Sequence, residues 1–158
     1  REFFNLLINN SQTEEAVLLL DSPAASQALT GTPTKIVGFN SVSSVGDAVT
    51  ADLTNNKFIV KYNGIYSITG RFSVEATRTT TITFYATING TISPVGSTAQ
   101  GAGNTKPIQV NFPGLPIGVL EVDDEVEFYA KVDDIGSITI VDAVASLKYE
   151  NYSNYIES

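Results

Sequence analysis

The side chains whose type and clustering could do chemistry are acidic. Asp123, Asp124 and Glu125 are consecutive, and Asp133 and Asp134 form a second pair. Carboxylate oxygens grouped this way are calcium ligands, and two carboxylates held about 5–10 Å apart can cleave a glycosidic bond. Neither pattern is completed. No EF-hand spacing surrounds the acids, Asp-rich turns are ordinary in β proteins, and there is no Trp on which a sugar ring would stack. His and Cys are both absent, which removes Ser/His/Asp and Cys/His nucleophilic machinery, thiolate metal sites and disulfides. Gly101 and Gly103 are not followed by the Lys-Ser/Thr of a phosphate-binding loop. The expectation is a chain that is not an enzyme, with no catalytic residue, no cofactor and no resident metal. Calcium is the one ion its acids would suit.

The formal net charge is −8, and the nine Lys and Arg are scattered. Such a surface repels phosphate backbones and anionic headgroups, so neither nucleic acid nor a membrane is expected as a partner. The longest apolar run, Ala16-Val17-Leu18-Leu19-Leu20, is far short of the roughly 18 residues that cross a bilayer as a helix. Nothing at the start reads as a signal peptide. The acceptor triplets Asn9-Asn10-Ser11, Asn89-Gly90-Thr91 and Asn151-Tyr152-Ser153 are accordingly read as chance. At 158 residues and 42% apolar, the chain is long enough to bury a core as one folded unit.

The elements that would position any functional side chain are strands. From 65 to 76, Tyr66, Ile68, Gly70, Phe72, Val74 and Ala76 alternate with Ser67, Thr69, Arg71, Ser73 and Glu75. That is the two-residue period of a half-buried strand, which a helix would scramble. Phe58, Val60 and Tyr62 alternate likewise and are followed by Asn63-Gly64, a strong hairpin signal. The sequence therefore predicts that 57–62 and 65–76 pair as a hairpin. A strand over 79–88 ends at the turn Asn89-Gly90, and 91–106 reads as an exposed loop suited to recognition. Strands are expected at 108–112 and around 117–122, separated by Pro113-Gly114-Leu115-Pro116, and again at 125–133 and 137–149. In the last of these the apolar phase switches at Val141-Asp142, which predicts a bulge. About eight strands without an amphipathic helix predict an all-β, antiparallel two-sheet sandwich over 35–150. Residues 1–34 are then an N-terminal arm and 151–158 a C-terminal tail.

Particular residues resemble a known pattern. Lys57-Phe58-Ile59-Val60 followed by Asn63-Gly64-Ile65-Tyr66-Ser67-Ile68 resembles the "F, then G-x-Y" signature of C1q/TNF-like jelly rolls. Ile82 through Asn89-Gly90 is similar to that family's central strand and turn. Leu120 through Phe128 resembles its "L-x-x-G-D-x-V" stretch, with Asp123 where the family usually has Gly, and Ile140 to Tyr149 resembles its last strand. No collagen-like stalk precedes this region. Gly31-Thr32-Pro33-Thr34-Lys35-Ile36, leading into such a domain, resembles structural proteins of tailed bacteriophages, which use this fold as head decoration proteins or fibre tips.

The resemblance implies a homotrimer. Tyr85, Tyr129 and Tyr149 are the candidates for its subunit contacts, or else they cap the chain's own core. Phe3, Phe4, Leu6, Leu7 and Ile8 form one apolar cluster in the arm, and residues 17–20 form a second. Left exposed, both would aggregate, so they must dock on their own sheets or on another molecule. The expected function is a trimeric capsid decoration (cement) protein on the outer surface of a virion. It would be attached through its N-terminal arm to other virion proteins such as the major capsid protein. The alternative is the receptor- or glycan-binding tip of a phage fibre.

Overall fold

The computed structural model describes residues 14–20, 27–76, 79–93, 98–102, 108–133 and 136–150. Thirteen strands are present among them. In chain order they are β1 (Glu14–Leu20), β2 (Gln27–Leu29), β3 (Thr34–Lys35), β4 (Ser41–Val45), β5 (Val49–Asp52), β6 (Lys57–Val60) and β7 (Gly64–Ala76). The chain continues through β8 (Thr80–Ile88), β9 (Thr91–Ile92), β10 (Thr98–Ala102), β11 (Ile108–Leu120), β12 (Glu125–Val132) and β13 (Gly136–Tyr149). They form two sheets. The first runs β11-β7-β13-β1-β4 with β2 beside β13, and the second runs β10-β8-β12-β6-β5 with β3 beside β12 and β9 beside β8. Every pairing is antiparallel. The expected two-sheet sandwich is what the chain forms.

The core lies between the sheets and follows the alternation. Tyr66, Ile68, Phe72 and Val74 of β7 are fully buried while Thr69 and Arg71 face out. Phe72 stacks on Phe84 of the opposite sheet at 4.6 Å between ring centroids, with Phe128 at 5.4 Å and Phe112 edge-on at 6.4 Å. Burying each ring is worth roughly 2–3 kcal/mol, and such ring pairs add about 0.5–1.5 kcal/mol. Gly70 makes room for this cluster, since a Cβ there would meet the Phe112 ring at 2.9 Å. The predicted bulge is present: the β13–β7 register shifts between Ile140 and Asp142, which lets Ile140 and Ala143 both face the core.

Four expectations are corrected. The β6–β7 hairpin does not form: β6 pairs with β5 and β12 in the second sheet, and β7 with β11 and β13 in the first. Both strands alternate as predicted, but Phe58 and Val60 reach the core from one side and Tyr66 and Ile68 from the other. The stretch 113–116 does not end a strand, because β11 runs through it and absorbs the irregularity as register shifts between Phe112 and Leu115 and between Pro116 and Gly118. At a sheet edge a Pro need not break a ladder. The region 91–106 is not one loop: β9 closes a hairpin on β8, and β10 pairs further along the same edge of β8, opposite the side that β12 occupies. Finally, the folded unit begins before residue 35. β1 lies between β13 and β4, so Leu18 and Leu20 of the second apolar cluster, with Ala16 before them, are buried in the chain's own core.

The strand directions give the sandwich two distinct ends. One carries the start of β1, the β4–β5 turn, the β6–β7 crossing, the β8–β9 and β11–β12 turns, and Glu150. The other carries the ends of β7, β10 and β12 and the starts of β8, β11 and β13.

Candidate functional site

Among the described residues no pocket opens in the surface, so what the molecule offers a partner is its outward sheet faces and its ends. The two faces differ in chemistry. On the second sheet, Glu125, Glu127, Tyr129 and Lys131 of β12 face out, opposite Thr83, Tyr85 and Thr87 of β8. Lys35 reaches Glu127 at 2.6 Å and Lys57 reaches Glu125 at 2.8 Å. The carboxylate of Glu125 holds the Lys57 ammonium above its usual range through that hydrogen bond. This face is laced with partly buried charge pairs. Tyr85 and Tyr129, two of the predicted contact residues, are direct cross-strand neighbours in its centre, each half-buried.

The outward face of the first sheet is built from small and aliphatic residues. Reading across the strands, Ser43, Val17, Ser146 and Thr69 form one row, and Ser41, Leu19, Val144, Arg71 and Asn111 the next. Ser67, Ser73 and Ser146 are buried although they point away from the core. Their short side chains sit down among longer neighbours. The charges here include an exposed ion pair between Arg71 and Asp142 at 3.9 Å and Glu15 opposite Lys148.

Tyr149, the third predicted contact residue, is elsewhere. It follows the core-facing phase of β13, is buried, and its ring meets Tyr66 at 5.3 Å and Tyr62 at 5.8 Å between centroids. Tyr66 donates its hydroxyl hydrogen to the Tyr62 carbonyl at 2.7 Å. Burial pushes the Tyr66 hydroxyl well above the ordinary tyrosine range, an effect its hydrogen bond only partly offsets. Tyr149 therefore caps its own core. Phe3, Phe4, Leu6, Leu7 and Ile8 lie outside the described residues.

Of the acids singled out for calcium, Asp124 and Glu125 have structural partners. Asp124 accepts from Asn89 Nδ2 at 2.9 Å and from the Glu121 N–H at 2.8 Å. Asp123 sits at φ 75°, the left-handed region that Gly enters most easily and Asn or Asp next. That backbone demand accounts for the position where similar domains carry Gly. Among the described residues no three acidic side chains converge as a cation site, and Asp134 lies outside them. The exposed apolar residues Tyr62, Val119 and Val122, at 40%, 72% and 48% exposure, share the end of the sandwich from which β1 departs. Of the first sheet's outward residues, sequence reasoning singled out as docking candidates only Val17 and Leu19, within the apolar cluster 17–20. The signal of the others, serine in the polar phase of several strands, is legible only once those strands are known to be neighbours.

No known protein family's sequence pattern and no curated protein matches the chain. Among solved structures it is similar to the PRD1 vertex protein P5, with a TM-score of 0.55 and 17% identity over 86% of this chain and 96% of that one. It is also similar to the TNF protein Eiger from S. frugiperda, with a TM-score of 0.48 and 11% identity over 87% and 90%. A third similar structure is the globular domain of zebrafish complement 1qA, with a TM-score of 0.46 and 15% identity over 82% and 94%. The fold is an antiparallel two-sheet jelly roll, shared with the vertex protein over most of both chains.

Proposed function

We propose that this chain is a structural protein of a virion: a homotrimeric capsid decoration protein attached through the arm that contains Phe3, Phe4, Leu6, Leu7 and Ile8. The observation that carries the reading is the contrast between the two outward faces. A face with aliphatic Val17, Leu19 and Val144 at its centre, set among short serines, suits packing against another copy, since small residues lose little side-chain entropy on burial. The face of the second sheet carries partly buried charge pairs instead. The fold shared with a vertex protein supports the virion setting, and the −8 net charge keeps an abundant surface protein soluble.

Self-association is tested by light scattering, where the expected mass is about three times 16.9 kDa. Val144→Lys should reduce it to the monomer with the far-ultraviolet spectrum unchanged, whereas Tyr85→Lys should leave it intact. A monomeric wild-type chain overturns the trimer. Attachment is tested by deleting residues 1–13, since any longer cut removes β1. Loss of particle binding with the trimer intact is expected, and retained binding sinks the anchor.

A second reading has its own observation. The Tyr85–Tyr129 pair beside Lys35 and Glu127 is an aromatic, hydrogen-bonding patch on a face left free by the proposed trimer, which suits the tip of a fibre that binds a glycan or protein receptor. Loss of cell binding in Tyr85→Ala, with particle attachment unaffected by the deletion, would favour it.

A further inference from the structure

The strand β4 closes one edge of the first sheet, and among the described residues nothing pairs with its outer side. It is an unguarded edge. Its five residues, Ser41-Val42-Ser43-Ser44-Val45, include no charge, no proline and no register shift, the usual devices that stop a free edge from recruiting another strand. Four of the five are exposed. Val42 lies opposite the buried Leu18, on the core-facing side of the sheet, yet is 46% exposed. Among the described residues, the hydrophobic core therefore stops one strand short of being covered at this margin.

A second liability sits next to it in the chain. Phe3, Phe4, Asn5, Leu6, Leu7 and Ile8 are a run of strand length whose alternate members Phe4, Leu6 and Ile8 are all apolar, while the other phase contains Asn5. Asn9-Asn10-Ser11-Gln12-Thr13, polar and rich in turn formers, joins this run to Glu14. The junction is fixed at the end of β4: Glu15 lies opposite Val45, and the Glu14 carboxylate accepts the N–H groups of Asp47 at 2.9 Å and Ala48 at 3.0 Å. A Cβ on Gly46 would meet Glu14 Cγ at 2.6 Å, so the chain lies directly against the β4–β5 turn as it leaves β1.

We propose that in the free protein residues 3–8 add to the outer edge of β4 as a further strand, hiding the arm until it is drawn out to bind elsewhere. The reach is sufficient. Five linker residues span up to roughly 17 Å, against about 10 Å for the two strand spacings from β1 to a strand beyond β4. Because β1 and β4 are antiparallel, the added strand runs parallel to β4, a pairing slightly weaker per residue than the antiparallel one and suited to a contact that must release. Phe4, Leu6 and Ile8 then fall on the side of Val42 and extend the core, and Asn5 falls toward water. Tethering favours the chain's own edge over another copy's through a local concentration of about millimolar. The inference concerns the unattached protein and does not depend on what the arm binds later.

Amide hydrogen exchange on the purified free protein tests it. In the intact chain the alternate β4 amides that point away from β1 should be protected. Removal of residues 1–9 should speed their exchange roughly tenfold or more, with β7 and β12 amides unchanged. Leu6→Pro in the full-length chain should do the same, which guards against a general loss of stability in the truncated protein. Equal β4 exchange in all three proteins overturns the proposal. So does protection that appears only as protein concentration rises, because the edge is then filled by a second copy. Particle binding is a separate readout, so loss of the anchor reading leaves this result untouched.

Discussion

Two Asn-Gly dipeptides, Asn63-Gly64 and Asn89-Gly90, carry the same turn signal and do different work. At Asn89-Gly90 the signal means what it usually means. Both residues are left-handed, at φ 52° and 84°, as the tightest hairpin turn requires, and β9 folds back on β8 with Ile88 opposite Thr91. Asn89 then ties the turn to its neighbour, donating to Asp124 and accepting from the Glu125 N–H at 2.9 Å. At Asn63-Gly64 neither residue is left-handed. The chain is crossing from one sheet to the other, and Asn63 accepts from the Val122 N–H at 2.8 Å to bind the crossing to the β11–β12 turn. Gly64 is needed for space, not for conformation: a Cβ there would come within 2.4 Å of the Tyr149 ring. A dipeptide records that glycine is required and leaves the reason to its surroundings.

The sharpest way to break this comparison is to place a methyl group at each glycine. Gly64→Ala drives a side chain into the buried Tyr149 and should cost about 2–3 kcal/mol, the range for overpacking a tight core, read from the urea midpoint. Tyr149→Ala should remove most of that penalty, so a double-mutant cycle between positions 64 and 149 should show coupling of about 1–2 kcal/mol. Additivity would mean that Gly64 is there for another reason.

Tyr66→Phe probes the bonds that hold the crossing. It removes the hydroxyl from the Tyr62 carbonyl and should cost about 1–1.5 kcal/mol. It also changes the alkaline limb. Because the folded state raises the Tyr66 pKa, the stability this contributes is complete below the unfolded value of about 10 and is lost as pH rises beyond it. The wild type should weaken above that pH more steeply than Tyr66→Phe, and identical limbs would exclude Tyr66 as the group responsible. Gly90→Ala is the mildest change. Nothing lies within 4 Å of the added methyl, so only left-handed strain of about 1 kcal/mol is expected, and Gly90→Asn should cost less. A larger loss at Gly90 than at Gly64 would reverse the comparison.

Much of the architecture was legible because burial is periodic. Ile82, Phe84 and Ala86, or Val126, Phe128, Ala130 and Val132, show their inward side in the sequence itself, and the phase change at Val141-Asp142 located the bulge. The strand through 113–116 was not legible, because Pro-Gly and Leu-Pro are local breakers, and only a neighbour such as β7 can hold the chain extended past them. The candidate surface was the least legible. Tyr85 and Tyr129 stand out by type, yet the serine-rich face consists of residues unremarkable one by one, contributed by strands far apart in the chain. Tyr149 drew attention as an aromatic near the end of a strand, and its buried place depends on the absence of a side chain at Gly64.

The sequence by itself determined that this is an all-β chain with a sandwich core, because a two-residue period can bury its apolar half only by setting one sheet against another. It also excluded histidine- and cysteine-based chemistry outright. Only the tertiary structure decided which strand lies beside which, that β1 completes the first sheet, and that one outward face gathers serines and aliphatics while the other sets a tyrosine pair among partly buried charge pairs. Periodicity tells each strand which side to bury, but partners are chosen by the packing of the whole core, to which residues such as Phe58 and Tyr66 contribute from opposite sides.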